Sequence, residues 1–290
     1  MIRKVNYIKH IFYSLEDKIF SSRTLSTLVL LLICNFIFAI PLLNLAKDVG
    51  YDVNVTVLPM YLYDFEYDCT FIAIILYFFS GVPFLKYSEM YCIIREGKTN
   101  WVIKQIVHIV AMACVFMIMA VITSIVPFLI RGDVNNQWGK IAYTLSLTDK
   151  NVEYNCVKFP SSMLAKYSPW ECLIVCVLFV TIIVIFMGML VFAFSLVFNR
   201  VIAICLGAGF EILMILTFNL RLTTGFLIYA SPCSWLDISS LGRKPSATEY
   251  SLGIPSMWQC VIELIIAMVI FSIVSVIRIN RMSLNYTNED

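Results

Sequence analysis

Runs with little or no charge recur along the chain at 24–46, 69–85, 101–130, 172–199, 201–220 and 256–277. Each is comparable with the roughly 20 apolar residues that an α-helix needs to cross the hydrocarbon core of a bilayer. The pattern predicts an all-α integral membrane protein with six transmembrane helices. The second run is the shortest, and Tyr67 and Lys86 at its ends can extend it by snorkelling. Asn199 and Arg200 interrupt what would otherwise be one apolar stretch from 172 to 220, so a tight helical hairpin is expected there.

The polar segments carry their own periodicity. Over residues 1–23, Val5, Ile8, Ile11, Phe12, Leu15 and Ile19 alternate at near-helical intervals with Arg3, Lys4, Lys9, Lys18 and Arg23, the pattern of a basic amphipathic helix lying on a membrane face. The apolar run that follows is too long for a secretory signal. Between the second and third spans, the stretch KYSEMYCIIREGKTN at 86–100 places Tyr87, Met90, Tyr91 and Ile94 on one face of a short helix. Gly97 can close that helix, Thr99 or Asn100 can cap the next, and Trp101 would anchor the third span at the interface. The piece GFLIYASPCSWLDISSLG, after Arg221, is apolar but broken by Gly225, Pro232 and serines, and so predicts a re-entrant or interfacial segment before the last span.

Composition reinforces this reading. Hydrophobic residues make up 60% of the chain and charged residues 14%, against about 45–50% and about 25% in soluble domains. No polar segment is long enough for a separate soluble domain, so residues 1–290 read as a single transmembrane unit. A net charge of +2 without a long basic run argues against nucleic-acid binding. Twelve of the 21 lysines and arginines fall on one side of the predicted spans if the N-terminus is cytosolic, which favours both termini inside. Loops 47–68, 131–171 and 221–256 then face outward, the first rich in acidic and aromatic residues.

Chemistry-bearing residues are sparse. Glu211 and Glu263 lie within spans, where an ionisable group costs about 2.5–3.5 kcal/mol even on the mildest scale. They are candidates for a polar point on a substrate or proton path, or for neutral acids hydrogen-bonded to a neighbouring helix. His108, near the start of the third span, reads as a packing or interfacial group. Gly188 and the Gly207-Ala208-Gly209 run mark close helix approach. The ten cysteines are scattered without metal-ligand spacing, and two histidines with no hydrolase, zincin or phosphate-loop motif leave no catalytic site and no metal site.

Six spans, a basic amphipathic N-terminus, a short cytosolic helix between spans two and three and a broken segment before span six together resemble the type 2 ABC-transporter permeases. The local likeness lies in EMYCIIREGKTNWVIKQ, where Arg95 and Gly97 precede Lys98, Trp101 and the third span. The resemblance implies that 86–98 is a coupling helix, with Tyr87, Met90, Tyr91, Ile94, Arg95 and Glu96 contacting an ATP-binding cassette subunit. It also implies a second permease copy or homologue as partner, ATP and Mg on the partner subunit rather than in this chain, and export as the activity. The outer loops are longer than in minimal members, so no cargo class carries over. The residues alone leave two alternatives: an ion-coupled secondary carrier or channel using Glu211 and Glu263, and a membrane scaffold or sensor whose ligand face is the acidic, aromatic loop 47–68.

Overall fold

The computed structural model describes residues 15–83, 97–129, 132–148, 150–219, 225–241 and 255–281. The main helices are α1 (Ser22–Val49), α2 (Phe65–Phe79), α3 (Lys98–Ile125), α4 (Pro169–Val197), α5 (Arg200–Asn219) and α6 (Met257–Arg281). All but α2 are long and apolar enough to cross a membrane, which makes the chain a candidate multi-pass membrane protein.

The second apolar run starts earlier and stops sooner than its composition suggests. α2 has 15 residues, about 22 Å at 1.5 Å per residue, against a hydrocarbon core of about 30 Å. Its start is set by Asp64, whose side chain accepts hydrogen bonds from the amides of Glu66 and Tyr67, satisfying two of the donors that a helix leaves unpaired at its N-terminus. Its end coincides with Ser80-Gly81-Val82-Pro83, where the residue before proline is biased away from the helical region.

α1 begins at Ser21, whose hydroxyl accepts from the Thr24 amide, and closes at Gly50 with φ 74°, a left-handed conformation that glycine adopts without a Cβ penalty. α3 begins three residues before the expected Trp101. Gly97, at φ 89°, precedes it, and Thr99 and Asn100 lie inside the helix instead of capping it. The hairpin at Asn199–Arg200 forms as the interruption suggests, with the Asn199 side chain accepting from the Ile202 amide.

α4 is the axis of the bundle and packs against α2, α3, α5 and α6. Its apolar residues run all the way round, as in a helix enclosed by others, and Phe179, Val180, Ile183, Phe186 and Phe192 are buried. Gly188 lets α2 and α3 approach: a Cβ there would lie 2.7 Å from Ile109 and 2.9 Å from the Phe79 ring. A buried polar tie joins the first three helices. Asn35 donates to Thr123 Oγ1 at 2.9 Å and accepts from the Tyr67 hydroxyl at 2.9 Å, so each polar group is satisfied away from water.

The two ends of the bundle differ. Where α1, α3 and α5 begin, Arg278 of α6 donates to the carbonyls of Leu196 and Val197, meeting acceptors that a helix C-terminus leaves open. Lys98 donates to the Asn280 carbonyl at this end. At the opposite end, loops 47–68 and 131–171 are stitched together. Val53–Asn54 pairs in parallel with Gly132–Asp133, Asn54 donates to the Asn135 carbonyl, and the Trp170 and Trp138 indoles donate to the carbonyls of Val134 and Tyr167. Short helices at Lys140–Leu147, Lys150–Tyr154 and Ser161–Lys166 complete this cap. Residues 53–62 are buried beneath it, whereas Asp48, Tyr51, Asp52 and Glu66 of the same loop stay exposed.

Candidate functional site: buried carboxyls beside a broken helix

Between α5 and α6 the chain forms a short helix, Gly225–Ala230, and then a 3-10 turn, Pro232–Trp235. Pro232 suits the first position of the turn, where no amide hydrogen is required. The Ser234 hydroxyl and amide both bond the Ser231 carbonyl, at 2.7 and 3.0 Å. The Trp235 indole reaches back to the Ile228 carbonyl at 2.8 Å. With its backbone groups turned inward on itself, the turn packs against α5 and α6, and residues 231–237 are buried throughout. Such irregular backbone is tolerated within an apolar bundle only where protein satisfies its polar groups.

Asp237 follows this turn. It is 7% exposed, and the Ser239 amide donates to its Oδ1 at 2.8 Å. Burial pushes its carboxyl above the ordinary aspartate value, and hydrogen bonds from Ser239 and Ser240 oppose that shift. Opposite lies Asp68, in the first turn of α2 and 1% exposed, close enough for the charge of Asp237 to act on it. Asp68 Oδ1 and the Ser231 hydroxyl are both buried without a hydrogen-bond partner among the described residues. Two buried carboxyls whose charges act on each other raise the cost of ionising both. The thiols of Cys176 and Cys233 are fully buried as well.

Glu211 is partly exposed on α5, near Cys69 of α2 and Cys233 of the turn. Glu263 stands elsewhere, exposed on α6, with the neighbouring Cys260 the group on which its charge acts. No interaction between the two glutamates occurs among the described residues. The buried carboxyls are thus those of Asp68 and Asp237. By apolar length alone Asp68 falls in the outer loop, one residue outside the run at 69–85. The available signal was Asp64, an N-cap residue that draws Asp68 into the helix.

The expected coupling-helix residues Tyr87, Met90, Tyr91, Ile94, Arg95 and Glu96 lie outside the described residues. Trp101, expected at the interface, is 1% exposed and packs on Phe192 with ring centroids 6.1 Å apart. α3 starts early enough to carry it a turn into the bundle. His108 is fully buried, and its Nδ1 lies 2.6 Å from Nζ of Lys18. Lys18 is itself 8% exposed and so does not lie on the water face of an interfacial helix. The described cysteines are free thiols, and among the described residues no cluster of His, Cys, Asp and Glu could hold a metal ion.

No protein-family model matches the chain, and no curated protein and no solved structure matches it.

Proposed function

We propose that the chain is the membrane-spanning permease subunit of an ABC exporter, with both termini cytosolic and ATP hydrolysed by a separate subunit. The observation that carries the reading is the broken segment at 225–241, folded back on itself and buried among helices, next to the last long apolar helix. In this reading α2 acts as a sixth, short span, and the stitched cap faces outward. The stretch 86–98 receives the force of ATP binding through Tyr87, Met90, Tyr91 and Ile94, with Arg95 and Glu96 pairing at the rim. A second copy or a homologue completes the path, as symmetric membrane assemblies commonly require.

The test is co-purification. A soluble ATPase should be recovered with the full chain from its native membrane, and Tyr91→Ala should lower recovery about thirtyfold, since truncating a buried aromatic anchor commonly costs about 2 kcal/mol. Glu89→Ala should leave recovery unchanged. Failure to recover an ATPase, or equal recovery with Tyr91→Ala, removes the coupling-helix reading.

The buried carboxyls of Asp68 and Asp237 support a second reading, an ion-coupled secondary carrier, in which a proton carried on one of them is the coupled ion. It differs from the first in needing no partner. Transport by the purified chain in vesicles, driven by an imposed pH gradient and abolished by Asp68→Asn, would favour the carrier; dependence on added ATPase would discard it.

A further inference from the structure

At the end of the bundle where α1, α3 and α5 begin, a cavity of about 770 Å³ opens between the start of α1 and the end of α2. Its lining has two characters. Lys18, Arg23 and Arg200 line it together with hydroxyl groups such as those of Ser22 and Tyr77, whereas Phe78 and Met112 supply apolar wall. Among these described lining residues Asp17 is the one carboxylate, so cationic charge is in excess.

The Arg23 guanidinium packs over Gly81, in space that a Cβ at that residue would contest. The Arg23 carbonyl accepts from the hydroxyls of Ser26 and Thr27, at 2.9 and 2.8 Å. Ser26 in turn is 2.7 Å from the Tyr77 hydroxyl. Among the described residues Arg200 spends one side-chain hydrogen bond, on the Pro83 carbonyl at 3.1 Å, out of the five donors of its guanidinium. Beside the cavity, Leu25 and Val29 of α1 are 63% and 49% exposed, an apolar flank that continues toward the membrane-crossing part of the helix.

From this we propose that the cavity binds the headgroup of an anionic phospholipid, with its phosphate between Arg23 and Arg200 and its acyl chains leaving past Phe78 along α1. Arginine forks match phosphate oxygens in a bidentate manner. A free phosphate would use the same donors but gain nothing from the apolar wall and flank. The inference stands apart from the identity of any energy-coupling partner and rests on the membrane character of the long helices.

Native mass spectrometry of the full chain, released from vesicles of mixed phosphatidylglycerol and phosphatidylcholine, reads the outcome directly. The wild type should retain phosphatidylglycerol selectively, and 10 mM inorganic phosphate should not displace it. Arg200→Gln, at an exposed position, should reduce the selectivity about fivefold, and adding Arg23→Gln should reduce it by about as much again, near the value of a single basic residue at an anionic surface. Lys140→Gln, in the cap at the other end, should change nothing. Equal retention of both lipids by the wild type overturns the proposal without recourse to any variant. Displacement by inorganic phosphate makes the cavity a site for the free anion and likewise overturns it, as does undiminished selectivity in folded Arg200→Gln.

Discussion

α4 and α6 are both long, apolar helices, yet α4 has 61% of its most apolar window buried and α6 only 17%. α4 buries Phe179, Phe186 and Phe192, and it carries Gly188 where α2 and α3 press closest. α6 turns Ile262, Ile266, Val269, Ile270 and Ile273 outward. In a bilayer the lipid tails are as apolar as a protein core, so hydropathy alone does not separate an axial helix from a peripheral one. The buried face of α4 adds rings, sulfur and a glycine to β-branched residues such as Val180 and Ile183, while the outer face of α6 repeats isoleucine and valine. Glu263 breaks that rule, since it stands among the exposed isoleucines.

The sharpest way to break the contrast is truncation on each helix. Phe186 lies 5.7 Å from Phe271 and 6.0 Å from Phe210, centroid to centroid, so Phe186→Ala should destabilise the protein by about 3–5 kcal/mol. Ile266→Ala should cost under about 1 kcal/mol, as for exposed positions generally. Chemical unfolding in detergent micelles measures both; similar losses would mean that α4 is not the axis.

Glu263 tests the other side of the comparison. If its face meets lipid, Glu263→Leu removes a penalty of about 2.5–3.5 kcal/mol and should raise stability in bilayers accordingly. A fall in stability, or loss of a larger species in cross-linking, would show that protein covers this face and satisfies the carboxyl.

The buried Asp237 predicts a pH dependence. Burial raises the Asp237 carboxyl above its ordinary value, so folding favours the protonated form. That contribution is complete below the unfolded-state value near 3.8 and is lost as pH rises through the raised folded-state value. Wild-type stability should therefore decline from acid toward neutral pH by about 1.4 kcal/mol for each unit by which the carboxyl is raised. Asp237→Asn should flatten that slope, and thermal melts across pH 4–8 would detect its persistence.

The smallest effect concerns the two glycines of α5. A Cβ at Gly207 would lie 2.4 Å from Leu76, whereas Gly209 has open space around it. Gly207→Ala should cost about 1 kcal/mol or less because the Leu76 side chain can yield. Gly209→Ala should be neutral or gain about 0.5–1 kcal/mol through helix propensity. Equal effects would show that α2 and α5 do not approach through Gly207.

The long helices and the hairpin were legible because apolar length and a polar interruption are local signals. Asn199 and Arg200 sit where the turn forms, and Pro232 with its serines marks the broken segment. Placement in depth was not legible. Asp68, Trp101 and Lys18 each read as groups near water, yet all three are buried, because their surroundings come from helices distant in sequence. Lys18 finds His108, 90 residues away, and the other buried aspartate beside Asp68 is Asp237, from the segment between α5 and α6. The partner of a buried polar group is a tertiary fact, and the spacing of residues within one helix holds no record of it.

The short pairing of Val53–Asn54 with Gly132–Asp133 works as a hasp across one end of the bundle. It fastens the exit of α1 to the exit of α3, and the Asn35 tie grips the same two helices lower down. Two fastenings at different heights hold α1 and α3 against separation at that end, and the Tyr67 hydroxyl ties α2 to the lower of them.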